Sequence, residues 1–252
     1  MQKFFIEESQ IENDKINITG EDVKHISSVL RMQKGEQILI GSKETLETYL
    51  TEIEQIEKEK VVAKIIEKLD TQTESNVEID LYQGLPKADK MELIIQKTTE
   101  IGISKVTPVD MVRCIVKLDE KDTKKKIERW QKVAEGAAKQ SKRSKIPEIK
   151  NKIKIKDLEN IISQYDAFIV AYEEENEITL KQELKKLREQ EKYKIGILVG
   201  PEGGIEEYEI ERLKDKGAHI VTLGKRILRT ETAGFVATSL IQYELSDLGG
   251  ND

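Results

Sequence analysis

Two glycine-containing segments near the C-terminus each follow an apolar run, and each stands where a helix is expected to begin. The first reads ILVGPEGG at 197–204, and the second reads LGKRILRTETAG at 223–234. In an open α/β sheet, ligands bind beyond the carboxyl ends of strands, and glycine there lets the backbone approach a ligand closely. The two segments therefore predict a ligand-binding crevice, although a plain strand–helix turn is the alternative for each.

Arginine is scarce in this chain, which gives its position weight. Only 8 of the 42 basic residues are arginines, and two of these, Arg226 and Arg229, lie within the second segment. The guanidinium is a planar, always charged fork that suits bidentate contact with an anion. Thr230 and Glu231 also fit a helix N-terminus, as a cap and a first-turn acid. Capping alone does not require Arg229, so we predict an anion-directed role for it.

Several kinds of site are disfavoured by what the chain lacks. Neither GxGxxG nor GxxxxGK[ST] occurs, so a dinucleotide site or a P-loop is unsupported. One cysteine, Cys114, and two distant histidines, His25 and His219, argue against a metal site, and none is predicted. We expect Cys114 and His219 to be structural, whereas His25 either contacts a binding partner or packs against its helix.

The N-terminus and the apolar runs bear on location. No apolar run approaches the roughly 20 residues that a membrane span needs. The first residues, MQKFFIEESQ, lack the long apolar core and small-residue cleavage site of a signal peptide. We therefore expect a cytoplasmic protein that does not use a membrane.

Positive charge is concentrated in one region, residues 117–156, which we call the basic island. It carries 15 basic and 6 acidic side chains, although the whole chain has a net charge of −6. Such a local surplus predicts a polyanion-binding surface, with a solvated lysine-rich helix as the alternative. Lys139, Lys142 and Arg143 crowd the end of the long helix beyond what its dipole needs, so we predict that they contact phosphate. Trp130, at helical spacing with apolar residues, is predicted to be core.

The first 70 residues resemble a small β structure. Five runs rich in β-branched residues predict strands at 4–8, 16–19, 37–41, 48–56 and 60–68, which together suggest a small barrel. One short helix is predicted from Glu21, with an apolar face formed by Val23, Ile26, Val29 and Leu30. The polar stretch 70–76 is a candidate linker.

Beyond residue 76 the pattern changes to alternating strands and helices. The predicted strands are 77–85, 105–109, 167–172, 194–200 and 219–224; the predicted helices are 87–101, 120–142, 156–163, 180–192, 206–216 and 231–245. Gly102 stands where the first of these helices needs a residue in the left-handed region. The alternation predicts an α/β fold with a parallel sheet covered on both faces.

Taken together, these segments resemble the bacterial 16S rRNA uracil-N3 methyltransferase family, a branch of the SPOUT methyltransferases. Apart from the two glycine segments, the matching stretches are His25 with 29–31, residues 84–92, Ile95-Gln96-Lys97 with Glu100, and Gln140-Ser141 with Arg143 and Pro147. Lys3, Lys225 and the stretch 112–114 depart from the usual family pattern.

The resemblance implies a fold, a cofactor and partners. Residues 1–72 would form a PUA-like RNA-binding β-barrel, and residues 73–252 a SPOUT α/β domain with a deep trefoil knot. The family is typically homodimeric and acts on 16S rRNA of the small ribosomal subunit. S-adenosylmethionine (SAM) would be bound by Leu198, Gly200, Gly203, Leu223, Gly224, Ile227, Leu228, Thr232 and Ala233. RNA would be contacted by Arg31 together with Lys139, Lys142 and Arg143.

Within this interpretation the catalytic residue is predicted to be Arg229. Methylation of uracil N3 requires loss of its proton, and the resulting charge spreads onto O2 and O4, where a positioned guanidinium would stabilise it. Binding of the target's phosphate is the alternative role. Glu202 and Glu231 are open candidates for the general base. Three broader alternatives also stay open: a non-enzymatic ribosome-binding module, an α/β enzyme with a phosphate-bearing cofactor, and a methyltransferase acting on transfer RNA.

Overall fold

The computed structural model describes residues 1–71, 73–188 and 193–250. The chain forms two compact units. The N-terminal unit comprises residues 1–74 and 138–146, and the C-terminal unit comprises residues 75–137 and 147–252. The sequence does not predict that residues 138–146 pack with the N-terminal unit, because they begin within a helix whose earlier part belongs to the other unit.

A single six-stranded sheet forms the N-terminal unit. Its strands are β1 (Lys3–Ile6), β2 (Ile11–Glu12), β3 (Lys15–Thr19), β4 (Gln37–Ser42), β5 (Thr48–Ile56) and β6 (Lys60–Leu69). The strand order is β1-β4-β5-β6-β3-β2, with β1 parallel to β4 and the other pairs antiparallel. Its core is rich in isoleucine and valine from these strands, and all five predicted strands are confirmed.

The short helix of the N-terminal unit differs from the prediction in one respect. Helix α1 (Glu21–Lys24) continues into a wider π turn, in which the Leu30 N–H donates to the His25 carbonyl at 2.9 Å. The extra residue in this turn rotates the following side chain away from the core. Val23 and Ile26 are buried as expected, but Val29 is 69% exposed, so its predicted place on the apolar face was wrong.

Seven parallel strands form the sheet of the C-terminal unit. They are β7 (Val77–Gly84), β8 (Lys105–Asp110), β9 (Glu148–Ile149), β10 (Ile153–Lys154), β11 (Ala167–Ala171), β12 (Tyr193–Val199) and β13 (His219–Val221). The order is β10-β8-β7-β12-β11-β13, with β9 also beside β8. The central strands β7 and β12 are buried along almost their whole length, as expected of a parallel sheet covered on both faces, although β7 contains Glu78 and Asp80. The predicted parallel sheet is confirmed.

Five helices are described after the first sheet: α2 (Lys90–Ile101), α3 (Glu120–Gln140), α4 (Leu180–Leu187), α5 (Glu207–Asp215) and α6 (Thr230–Leu245). The helix predicted at 156–163 is instead two short 3₁₀ turns, Ile155–Asn160 and Ile162–Gln164. Part of the helix predicted at 180–192 lies outside the described residues. No described helix is both long and apolar enough to cross a membrane.

Two local predictions about helices are confirmed. Gly102 ends α2 with φ +105°, and its N–H bonds back to the last turn of the helix. The left-handed backbone at this position favours glycine, and a Cβ there would also lie 2.8 Å from Gln242 Nε2, so that the Gln242 side chain would have to move. Trp130 is only 3% exposed and belongs to the core, as its helical spacing predicts.

Candidate functional site

A cleft of about 410 Å³ lies where β11, β12 and β13 end in the C-terminal unit. We call it the main cleft. Ala171, Val199 and Thr222 mark the strand ends along its wall, and the rest of the lining comes mostly from loops. The two glycine segments both contribute to it, because the carboxyl ends of neighbouring parallel strands meet at one edge of a sheet.

Most of the residues predicted to hold a cofactor line the main cleft. Six of the nine do so: Gly200, Leu223, Gly224, Ile227, Leu228 and Ala233. The lining residues do not include Leu198, Gly203 or Thr232. Leu198 is fully buried within its strand. Gly203 faces Arg113, whose Cβ would stand 3.0 Å from a Cβ at that position.

Arg229 also lines the main cleft, and its side chain is 83% exposed there. Its contact to Glu231 is a distant ion pair at 3.9 Å. The structure places Arg229, with extended backbone angles, at the N-cap position of α6. The prediction that Thr230 caps this helix was therefore wrong, because Thr230 is the first residue of the helix itself. The Arg229 side chain is available to an anion or to a substrate in the cleft.

The loop after β12 is held in shape by a turn and by Arg113. Gly204 has φ +74°, and its N–H donates to the Pro201 carbonyl at 2.9 Å. Arg113 Nη1 donates to the Gly203 carbonyl at 3.1 Å, and its Nε pairs with Glu206 at 3.0 Å. This role of Arg113 was not predicted from the sequence; the available signal was that arginine is rare in this chain.

A buried glutamine at the end of β7 connects the two glycine segments. Gln83 Nε2 donates to Thr230 Oγ1 at 2.9 Å, and Thr230 Oγ1 donates to the Gly200 carbonyl at 2.6 Å. Gln83 is fully buried and Thr230 is 6% exposed. Both residues were missed as site residues; the available signal was a glutamine at the end of a predicted strand.

Lys90, at the start of α2, bridges the two candidate carboxylates. Its Nζ lies 2.9 Å from Glu202 Oε1 and 3.1 Å from Glu231 Oε2. Hydrogen bonds to both carboxylates raise the pKa of Lys90, and the bond to Glu202 makes the larger contribution. One ammonium thereby ties the loop after β12 to the first turn of α6.

The electrostatics of this triad bear on the general base. Burial alone would raise the pKa of Glu202, but hydrogen bonds from Lys90 and backbone N–H groups outweigh it and lower the pKa. The pKa of Glu231 is likewise lowered, because its backbone hydrogen bond and Lys90 together outweigh burial. Two carboxylates with lowered pKa values are weak proton acceptors, so their geometry favours a positioning role.

The four residues predicted to contact RNA all lie in the N-terminal unit, and the structure separates them into two pairs. Arg143 is 4% exposed, and its Nη2 pairs with Glu74 at 2.6 Å. Lys139 Nζ pairs with Asp22 at 2.8 Å. Arg31 and Lys142 are exposed and have positive φ angles of 54° and 59°. Arg143 and Lys139 therefore anchor residues 138–146 through carboxylates, a role that the charge count did not predict.

His219 and Cys114 occupy structural positions, whereas His25 is exposed and its ring meets that of Phe4 edge-on. His219 Nδ1 lies 2.8 Å from Glu183 Oε2, and Cys114 is buried. The described ranges contain no group of three or more His, Cys, Asp or Glu residues that could hold a metal ion.

Comparison with known proteins agrees with this architecture. Residues 73–242 match the family model of an RNA methyltransferase domain, and residues 18–66 match that of an RNA methyltransferase PUA domain. Ribosomal RNA small subunit methyltransferase E of Bacillus subtilis is 39% identical over 257 residues, covering 100% of both chains. The protein of the same name from Mesomycoplasma hyopneumoniae is 32% identical, covering 96% of this chain and 100% of its own.

Comparison with solved structures supports the same family. A ribosomal RNA small subunit methyltransferase E from Neisseria gonorrhoeae, bound to S-adenosyl methionine, superposes with a TM-score of 0.86 at 29% identity, covering 98% of this chain and 99% of its own. The fold and the site define an α/β RNA methyltransferase with an additional PUA domain. The chain belongs to the ribosomal RNA small subunit methyltransferase E family, and the resemblance found in the sequence is confirmed.

Proposed function

We propose that this protein transfers a methyl group from SAM to N3 of a uridine in 16S rRNA of the small ribosomal subunit. The observation that carries the proposal is the main cleft, which joins both glycine segments at the strand ends and has Arg229 on its wall. Family membership supports the rRNA substrate, and the SAM bound to the Neisseria gonorrhoeae relative supports the cofactor.

The lining of the main cleft fits SAM in its chemistry. Leu223, Ile227, Leu228 and Ala233 offer apolar contacts for an adenine ring. Gly200 and Gly224 carry no side chain, so a polar tail can approach the backbone of both loops closely. When bound, SAM would supply an activated methyl group on a positively charged sulfur.

Arg229 is the residue we assign to catalysis. As the uracil N3 proton leaves, negative charge develops on O2 and O4, and an exposed guanidinium beside the cleft can stabilise it. Glu231 stands too far away, at 3.9 Å, to hold the guanidinium in a tight ion pair. Much of the remaining acceleration would come from holding the base in line, which requires rigid loops.

Lys90, Gln83 and Arg113 supply that rigidity in this proposal. Each contacts at least one of the two glycine segments through its side chain, and Lys90 and Gln83 contact both. They are positioning residues, because they act through the backbone and carboxylates that form the cleft.

Family membership also supports finer expectations about architecture. We propose residues 1–72 as a PUA-like RNA-binding barrel and residues 73–252 as a SPOUT domain with a deep trefoil knot. A homodimer working in the cytoplasm completes this proposal. In the N-terminal unit, Arg31 and Lys142 are the predicted RNA contacts with exposed side chains.

Calorimetric titration tests the cofactor assignment. SAM should bind with one molecule per chain, whereas NAD and ATP should give no comparable heat. No heat with SAM, or equal binding of NAD or ATP, would contradict the proposal and favour an enzyme with a phosphate-bearing cofactor.

Replacing Thr230 with valine should weaken SAM binding as well as stability. The change removes the hydrogen bond to the Gly200 carbonyl and one of the acceptors of the buried Gln83 amide, which keeps its bond to the Gly84 carbonyl at 3.0 Å. We expect a cost of about 1–3 kcal/mol in the free energy of unfolding. Thr238→Val is the matched control, because the Thr238 hydroxyl bonds within its own helix, to the Gly234 carbonyl at 2.8 Å. Denaturant unfolding should show a loss of stability for both variants, whereas calorimetry should show weaker SAM binding only for Thr230→Val. Equal SAM affinities in the two variants would contradict the proposal that Thr230 connects the two loops for cofactor binding.

The triad of Lys90, Glu202 and Glu231 predicts that SAM affinity does not depend on pH near neutrality. The pKa values of Glu202 and Glu231 lie below their usual 4.5, and that of Lys90 above its usual 10.5. The ion pairs of Lys90 with Glu202 and Glu231 therefore stabilise the cleft fully above pH 4.5. This stabilisation is lost only as the pH falls through the lowered carboxyl pKa values. We expect constant affinity from about pH 8 to about pH 5.

Lys90→Met should abolish that flatness. Without the ammonium, the two carboxylates repel each other, the pKa of at least one rises, and affinity changes within the same pH range. Lys97→Met, which removes an exposed ion pair to Glu100 on the same helix, is the matched control and should keep the flat profile. A flat profile in Lys90→Met would refute the role of the triad.

A further inference from the structure

We propose that a second cleft in the C-terminal unit holds one unpaired nucleotide of the RNA substrate, next to the target uridine. This inference rests on the proposed function and adds a subsite to it. The cleft has a volume of about 290 Å³ and is formed around the ends of β8 and β10 and one side of α5.

The lining of the second cleft combines an aromatic ring with apolar side chains. Tyr208, in the first turn of α5, is 50% exposed. Met111, Ile155 and Leu213 supply apolar surface in the same cleft. An exposed tyrosine in an apolar hollow offers a stacking face to any of the four bases, because every base has a π face.

The acidic residues of this cleft are already satisfied. Asp110 pairs with Lys117 at 2.9 Å, and Glu159 pairs with Arg212 at 2.5 Å. Glu209 accepts backbone hydrogen bonds from Val112 at 3.3 Å and from Glu206 at 3.1 Å. These carboxylates therefore do not repel an incoming anion as free charges would.

Two lysines on the rim provide the uncompensated positive charge. Lys154 and Lys156 are both exposed and line the cleft, and no carboxylate lies within ion-pair distance of either ammonium in the described part of the chain. Both belong to the basic island, in which Lys139 and Arg143 are paired with carboxylates. Part of the island's positive charge therefore lies beside an aromatic ring, and this combination suits binding of a phosphate and its base.

The second cleft is a direct neighbour of the main cleft. Val112 lines the second cleft and its N–H binds Glu209, whereas the adjacent Arg113 binds the Gly203 carbonyl in the loop that borders the main cleft. Both clefts also lie at the carboxyl edge of the same parallel sheet. A single RNA strand that presents one base to the main cleft can therefore reach Tyr208 with a flanking nucleotide.

Fluorescence anisotropy with a labelled oligouridylate of about 12 nucleotides tests the inference on the full-length protein. Tyr208→Ala should weaken binding about tenfold, whereas Tyr208→Phe, which keeps the ring, should bind like the wild type. The double variant Lys154→Gln/Lys156→Gln should reduce the slope of log affinity against log salt by about 1.4, as expected for two lost phosphate contacts on a single strand.

Lys214→Gln/Lys216→Gln is the matched control, since it removes the same charge at the other end of α5, where the chain enters β13. Its salt slope should equal that of the wild type. Unchanged affinity in Tyr208→Ala, or equal slopes in the two double variants, would overturn the inference. Calorimetry with SAM separates the two proposals. If the wild type binds no SAM, the proposed function is contradicted. If SAM binds normally but Tyr208→Ala does not change RNA affinity, only the role of the second cleft is contradicted.

Discussion

Arg229→Ala should lower turnover by about 100-fold or more and leave SAM affinity nearly unchanged. The guanidinium is exposed in the main cleft and makes only a 3.9 Å contact with Glu231, so its loss should not disturb the loops. A preorganised donor that acts on charge developing in the transition state affects turnover rather than cofactor binding. Single-turnover methylation of rRNA and calorimetry with SAM measure the two quantities separately.

Arg226→Ala provides the matched control for that experiment. Arg226 lines the same cleft and is also exposed, so its removal changes the charge of the loop by the same amount. Its turnover should fall much less than that of Arg229→Ala. Equal losses in the two variants would mean that the loop attracts RNA through its overall charge, and a parallel loss of SAM affinity in Arg229→Ala would assign that residue to cofactor binding.

Gly84→Ala should damage both stability and activity, although Gly84 lies outside the main cleft. A Cβ at Gly84 would stand 2.7 Å from the backbone nitrogen of Pro201 and 2.8 Å from Met111 Sδ. Because a backbone atom cannot rotate aside, Pro201 must move, and overpacking of this kind costs about 1–3 kcal/mol in the free energy of unfolding. A displacement of about 1 Å in a loop that forms the site can cost on the order of 100-fold in turnover.

Gly136→Ala is the matched control for the glycine substitution. Gly136 lies in helix α3, and nothing stands within 4 Å of the point that a Cβ would occupy there. This variant should keep full activity and gain about 0.5–1 kcal/mol in stability, because alanine favours a helix. Wild-type turnover in Gly84→Ala would show that the loop after β12 tolerates movement, which is incompatible with the positioning roles given to Gln83 and Lys90.

Much of the fold could be predicted because its determinants are local. Strands β5 and β6 are long runs rich in β-branched residues, and β12 is mostly apolar because both faces of the strand are covered. Gly102 indicated the end of α2, since a left-handed residue is needed there. The π turn after α1 could not be predicted, because its wider hydrogen bonding changes the helical period on which the assignment of Val29 depended.

The candidate site could also be predicted only in part from the sequence. The two glycine segments and Arg229 could be recognised from strand ends, glycines and scarce arginine, and the structure brings them to one cleft. The hydrogen bonds that connect these segments could not be predicted, because Gln83 and Thr230 are 147 residues apart in the sequence. Charge counting also could not tell an exposed lysine from the buried Arg143, since pairing with Glu74 depends on tertiary contacts.

The most direct test of the central claim is to incubate unmodified small ribosomal subunits with the purified protein and isotopically labelled SAM, and to map the labelled nucleotide by mass spectrometry. We expect the label on N3 of one uridine of 16S rRNA, and its loss in Arg229→Ala. Label on another base of the subunit, or on no RNA while SAM still binds, would contradict the proposed function.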